Sequence, residues 1–170
     1  MNMKSEELKE LQAPLKEKYK LEPSTALITL KAIGEIGEGI SCKVETGRAL
    51  VEAGLHPATG GTGMLACSGD LLLEALVACA GVTMSAVSTA MGLQVKGSVR
   101  AEGDLDFRGT LGVAKDVQVG FVSIRLYFEI SSQITAEQLA SLSKLTERYC
   151  VVYQTLVRGV EVKTHYLSNP

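Results

Sequence analysis

The stretch LLLEALVACAGVTMSAV, residues 71–87, is almost free of charge yet carries a thiol, Cys79, at its centre. Between residues 71 and 91 Glu74 is the single charge. A run of that length and hydropathy suits either a membrane span or the buried helix of a globular core. Its Ala, Gly, Ser and Thr content, the Asp70 that starts it and the alternating patterns on both flanks select the second. The helix is expected over 69–91, with Ser68 as its N-cap and Asp70 at the positive end of its dipole. A helix apolar nearly all round is covered on most sides, so sheets are expected to wrap it.

Upstream, ALITLKAIGEIGEGISCKVETGRALVEAG, residues 26–54, reads as strands joined by Gly-containing turns, with Ile40, Cys42 and Val44 alternating against Ser41, Lys43 and Glu45. The segment HPATGGTG, residues 56–63, is a loop without the spacing of a phosphate cradle. Downstream, Val95, Gly97, Val99 and Ala101 mark one strand, and Val122, Ile124, Leu126, Phe128 and Ile130 another. Thr135 and Gln138 form a capping box for a helix whose stripe is Leu139, Leu142, Leu145 and Tyr149, ending near Cys150. VVYQTLV follows, and Val160, Val162, Thr164 and Tyr166 suggest a last strand. This order is α+β, without the βαβ succession of a parallel doubly wound sheet. Residues 4–20 read as a polar helix interrupted at Pro14, so 1–23 is expected to be an N-terminal helical arm and 24–170 the domain.

At 170 residues, with 46% hydrophobic and 21% charged residues and a formal charge of −2, the chain is an ordinary globular composition. Lys and Arg are scattered, so no nucleic-acid partner is expected, and no membrane partner either. The charged start lacks the apolar run of a secretory signal, and a cytoplasmic location is expected. Four cysteines in a reducing compartment do not make a disulfide framework. Cys42, Cys67, Cys79 and Cys150 show no CxxC pair and no zinc spacing, and His56 and His165 lie near none of them in sequence. Neither a metal nor an organic cofactor is expected. Packing or thiol chemistry remains for each cysteine, since a free Cys packs like a small hydrophobe. Cys42 lies on an apolar strand face, which favours packing. Cys67 lies beside the expected N-cap, where a helix dipole would lower a thiol pKa.

The segments GDLLLEALVACAGVTM, ERYCVVYQTL and RGVEVKTHY together resemble the OsmC/Ohr family of osmotically induced and organic hydroperoxide resistance proteins, over roughly residues 26–167. The resemblance implies an intertwined homodimer with antiparallel sheets wrapped around long central helices. It implies a thiol peroxidase acting on organic hydroperoxides, with Cys79 peroxidatic, Cys150 resolving, Arg48 in ETGRAL steadying the thiolate, and a dithiol reductant as recycling partner. Two departures stand beside it. Where the family has an acidic pair a turn into the long helix, this sequence has Gly69 and Asp70, and its Cys-Pro-Val motif with a following Arg is here CVVYQ, with Val151 and Gln154. These departures favour an alternative: a protein of the same fold that binds a small apolar ligand or senses redox state without turnover.

A buried thiol has a raised pKa, so a reactive Cys79 needs a compensating partner. Its neighbours along the helix face, Ala75, Leu76, Val82 and Thr83, are uncharged. Glu74 is about 140° around the helix from it. The activator is therefore expected from another element or subunit, with Arg48 as candidate and Arg148 and Arg158, which bracket Cys150, behind it.

Overall fold

The computed structural model describes residues 5–36, 42–44 and 53–166. The chain runs through α1 (Ser5–Leu21), β1 (Leu27–Ile36), β2 (Cys42–Val44), β3 (Ala53–Gly54), β4 (Ala66–Cys67) and α2 (Ser68–Ala90). It continues through β5 (Gly97–Asp106), α3 (Phe107–Thr110), β6 (Phe121–Ile130), α4 (Ala136–Tyr149) and α5 (Val151–Arg158). β2, β1, β5 and β6 form an antiparallel sheet in that order, while β3 and β4 make a small parallel pair.

Alternation along β5 decides which way the sheet faces. Val99, Ala101, Gly103 and Leu105 are buried, and α2 packs against this sheet. Gly103 has no substitute here, because a Cβ at that position would come within 2.3 Å of the Phe121 ring. The intervening positions carry Arg100, Glu102 and Asp104, which pair with each other or with Arg125 of β6, while the Arg100 guanidinium lies 4.0 Å from the Tyr127 ring centre. One face thus meets the helix and the other meets water.

α2 buries Leu73, Leu76, Val77, Ala80, Gly81, Met84, Ser85 and Ser88, the i, i+3, i+4, i+7 pattern of a single stripe. Leu72 and Ala75 on its other side are exposed. The helix was expected to be covered on most sides: β1 and β5 pack on it, α4 and α5 also reach it, and over 71–88 only Leu72 and Ala75 are exposed. The expected N-cap also moves by a residue: Cys67 is the N-cap, without a side-chain capping bond, and Ser68 begins the helix. The far end closes when Gly92, at φ +67, lets the Leu93 N–H reach the Ser88 carbonyl at 2.8 Å.

Three further expectations change. α1 continues through Pro14 without a break. Its second half is fastened to the body: Tyr19, 2% exposed, donates its hydroxyl to the Ala58 carbonyl at 2.6 Å. The capping box at Thr135 and Gln138 is present, but the buried edge of α4 is Leu142 and Thr146, with Leu139 and Tyr149 exposed. VVYQTLV, to which the sequence reading gave no element, is a helix, α5. Residues 159–166 then run without strand pairing among the described residues, and Val160, Val162 and Tyr166 are exposed.

Candidate active site

Two helices deliver the two thiols. Cys79 stands mid-way along α2, partly exposed, next to the buried stripe. Cys150 continues the buried edge of α4, four residues after Thr146 and eight after Leu142, and is 1% exposed. It is also the joint between two helices. Its backbone is extended, at φ −70 and ψ 106, so the helical path breaks there without Gly or Pro. Its N–H closes α4 on the Thr146 carbonyl at 2.9 Å. Its carbonyl accepts the Gln154 N–H at 2.9 Å and its Sγ accepts the Tyr153 N–H at 3.5 Å, which together start α5. Gln154 ties the joint further, donating from Nε2 to the Glu147 carbonyl at 2.8 Å.

Starting α5 at this point turns its unpaired N-terminal amides toward Cys79. Burial pushes the Cys79 thiol up, but hydrogen bonds from the Val152 N–H, the Cys150 thiol, the Thr83 hydroxyl and the Val151 N–H outweigh it. The net pKa lies below the ordinary thiol value. Burial pushes the Cys150 thiol up to about 11 against the Tyr153 N–H, and the neighbouring Cys79 sulfur adds to the rise. One thiol is thereby disposed to ionise and its neighbour to keep its proton. A helix N-terminus does here what a nearby cation would do, since its free N–H groups carry the positive end of the dipole.

The other candidates fall elsewhere. Arg48 lies outside the described residues, as does the side chain of Cys42. Cys67 is twelve positions before Cys79, about 18 Å along the helix axis at 1.5 Å per residue, out of reach of the pair. Arg148 and Arg158 are exposed beside the joint, with the Arg148 guanidinium 5.4 Å from the Tyr149 ring centre. Asp70 and Glu74 form an acidic step near the start of α2. Burial raises both pKa values, opposed at Asp70 by His56 and reinforced at Glu74 by Asp70. Among the described residues no three His, Cys, Asp or Glu side chains gather as metal ligands.

A cavity of about 730 Å³ lies alongside, lined by Leu72 and Leu76 of α2, Phe121 and Phe128 of β6, and Tyr153 and Leu156 of α5. Its walls are mainly apolar and it shares α2 and α5 with the thiol pair.

Sequence reasoning named both thiols but counted Thr83 only as an uncharged neighbour, and it missed the Val151 and Val152 amides, because backbone donors are invisible until α5 is recognised. The available signal was Val152, Tyr153 and Leu156, half-buried and spaced as a helical face rather than a strand.

The antiparallel α+β scaffold brings Cys79 and Cys150 into one neighbourhood, with the Cys79 pKa lowered and the Cys150 pKa raised. The family model described as OsmC-like protein matches residues 61–165, a span holding α2, both thiols and α5, and the chain belongs to that family. Membership supports a peroxidase-related or stress-response role in general, and interaction with a hydroperoxide or small ligand. A search of curated proteins gives no match.

Proposed function

We propose that this protein is a thiol peroxidase that reduces organic hydroperoxides. The observation that carries the reading is the contact between Cys79 and Cys150 at the α5 N-terminus, with their pKa values displaced in opposite directions. The Cys79 thiolate attacks the terminal oxygen of the hydroperoxide, the O–O bond breaks, and an alkoxide leaves. The resulting sulfenic acid is attacked by the Cys150 sulfur, forming the disulfide, and the sulfenic hydroxyl leaves with the Cys150 proton as water. A dithiol reductant restores both thiols. Arg48 is the candidate for additional charge stabilisation at the thiolate.

The same reading includes a homodimer, a cytoplasmic location, and a division into a helical arm, 1–23, and an OsmC-like domain, 24–170. Exposed apolar residues on α2 and along 159–166 support the dimer. One equivalent of an organic hydroperoxide is expected to remove the mass of two hydrogens and join the Cys79 and Cys150 peptides. If no cysteine oxidises faster than a free thiol, the peroxidase reading fails. The 730 Å³ apolar cavity favours the second reading in that event, a small-ligand binder or redox sensor without turnover.

A further inference from the structure

Peroxide cleavage leaves an alkoxide that needs a proton, and disulfide closure needs a second thiolate. Among the described groups that hydrogen-bond the Cys79 sulfur, only Cys150 and Thr83 bring side-chain protons. Val151 and Val152 bring amide protons, which are not given up. Thr83 gains nothing from losing its proton, whereas Cys150 without its proton is the nucleophile the next step requires. Cys150 is 1% exposed, so bulk water is a poor proton acceptor for it. Burial and the neighbouring Cys79 sulfur hold the Cys150 pKa up, so at pH 7 the thiol keeps its proton. An alkoxide is basic enough to take the proton. A carboxylate is not.

We propose that Cys150 is the proton donor to the leaving alkoxide, and that this single transfer also creates the thiolate that closes the disulfide on Cys79. The inference rests on the peroxidase reading and adds a role that reading does not require. In balance, Cys79–S⁻ and R–O–OH give Cys79–S–OH and RO⁻. The alkoxide takes the proton of Cys150–SH, giving ROH and Cys150–S⁻. That thiolate displaces hydroxide from the sulfenic sulfur, and the S–S bond forms. The oxidant is the hydroperoxide, and the two cysteines are oxidised together.

The test compares two oxidants on the unmodified protein in single-turnover quenched flow, read by intact mass and mapped to the Cys79 peptide. Cumene hydroperoxide releases an alkoxide; peroxyacetic acid releases acetate, which cannot deprotonate Cys150. With cumene hydroperoxide the disulfide is expected to appear as the reduced protein disappears, with less than about a tenth as sulfenic acid at any time. With peroxyacetic acid the sulfenic acid, about 16 mass units heavier, is expected to be the main early product and to close to the disulfide in a separate, slower phase. Equal sulfenic fractions with the two oxidants would overturn the proton-donor role while leaving the peroxidase reading standing. Failure of cumene hydroperoxide to oxidise Cys79 faster than a free thiol would overturn both.

Discussion

Cys79 and Cys150 carry the same side chain and differ only in what surrounds the sulfur. Cys79 is partly exposed and meets four hydrogen-bond donors; Cys150 is sealed and sits against a second sulfur. Iodoacetamide at pH 8 is therefore expected to label Cys79 first. Thr83→Val keeps the shape of the side chain and removes one donor, about 1 kcal/mol, so labelling at pH 7 should slow about fivefold. An unchanged rate would assign Thr83 to packing alone. The pair also makes stability depend on pH in a defined direction. Cys150 has a folded pKa raised from 9.0 to about 11, so its contribution is complete below pH 9 and is lost as pH rises through about 11. Cys79 has a lowered folded pKa, so its contribution is present above 9.0 and lost as pH falls through the folded value. Urea midpoints of the reduced protein should fall between pH 9 and 11 more steeply than those of Cys150→Ser.

Elements were legible in the sequence where one period dominated. The alternation read over 95–101 and 122–130 falls on the strands 97–106 and 121–130, with Val95 just outside, and the capping box at Thr135 is present atom for atom, with the Gln138 N–H on Thr135 Oγ1 at 3.2 Å and the Thr135 N–H on Gln138 Oε1 at 2.9 Å. Thr135→Ala should cost about 1 kcal/mol, read as a lower denaturant midpoint with an unchanged slope. α5 was illegible because β-branched Val151, Val152, Thr155 and Val157 do not favour a helix, and because Cys150, with no Gly or Pro beside it, gives no sign that a second helix starts there. What fixes α5 as a helix is tertiary: the Cys150 cap at its start and the burial of Val152, Tyr153 and Leu156. The activating amides of the site were hidden for the same reason. Val151→Pro probes them with little disturbance, since Val151 is the first helical residue, is 71% exposed, and proline at that place fits the helix while removing the N–H. Helicity is expected to survive and Cys79 labelling at neutral pH to slow. Loss of α5, seen by circular dichroism, would show instead that the joint does not tolerate the ring.

At the scale of the whole molecule, one chain leaves apolar surface that its own elements do not cover. Leu72 on α2, Val122 and Tyr127 on the edge strand β6, Leu139 and Tyr149 on α4, and Val160, Val162 and Tyr166 beyond α5 are all exposed. Scattered apolar residues are normal on any surface, but these belong to elements that flank one apolar cavity or follow directly from it. Among the described residues β6 also presents an unpaired edge, and 159–166 has no partner strand. A second copy, related by two-fold symmetry, would cover both kinds of surface at once, which is the physical case for the homodimer. Light scattering at micromolar concentration is expected to give twice the 18.1 kDa chain mass. Leu72→Glu places a charge at the wall of the apolar cavity on α2, where the residue is 37% exposed and lies outside the chain's own core cluster. If that side is the interface, the variant should stay folded and become monomeric, because an unpaired carboxylate in a dry contact costs several kcal/mol. A Leu72→Glu protein that remains a dimer would move the interface to the β6 edge and the 159–166 segment. A wild-type monomer would remove the dimer from the reading and leave the apolar cavity open to a ligand.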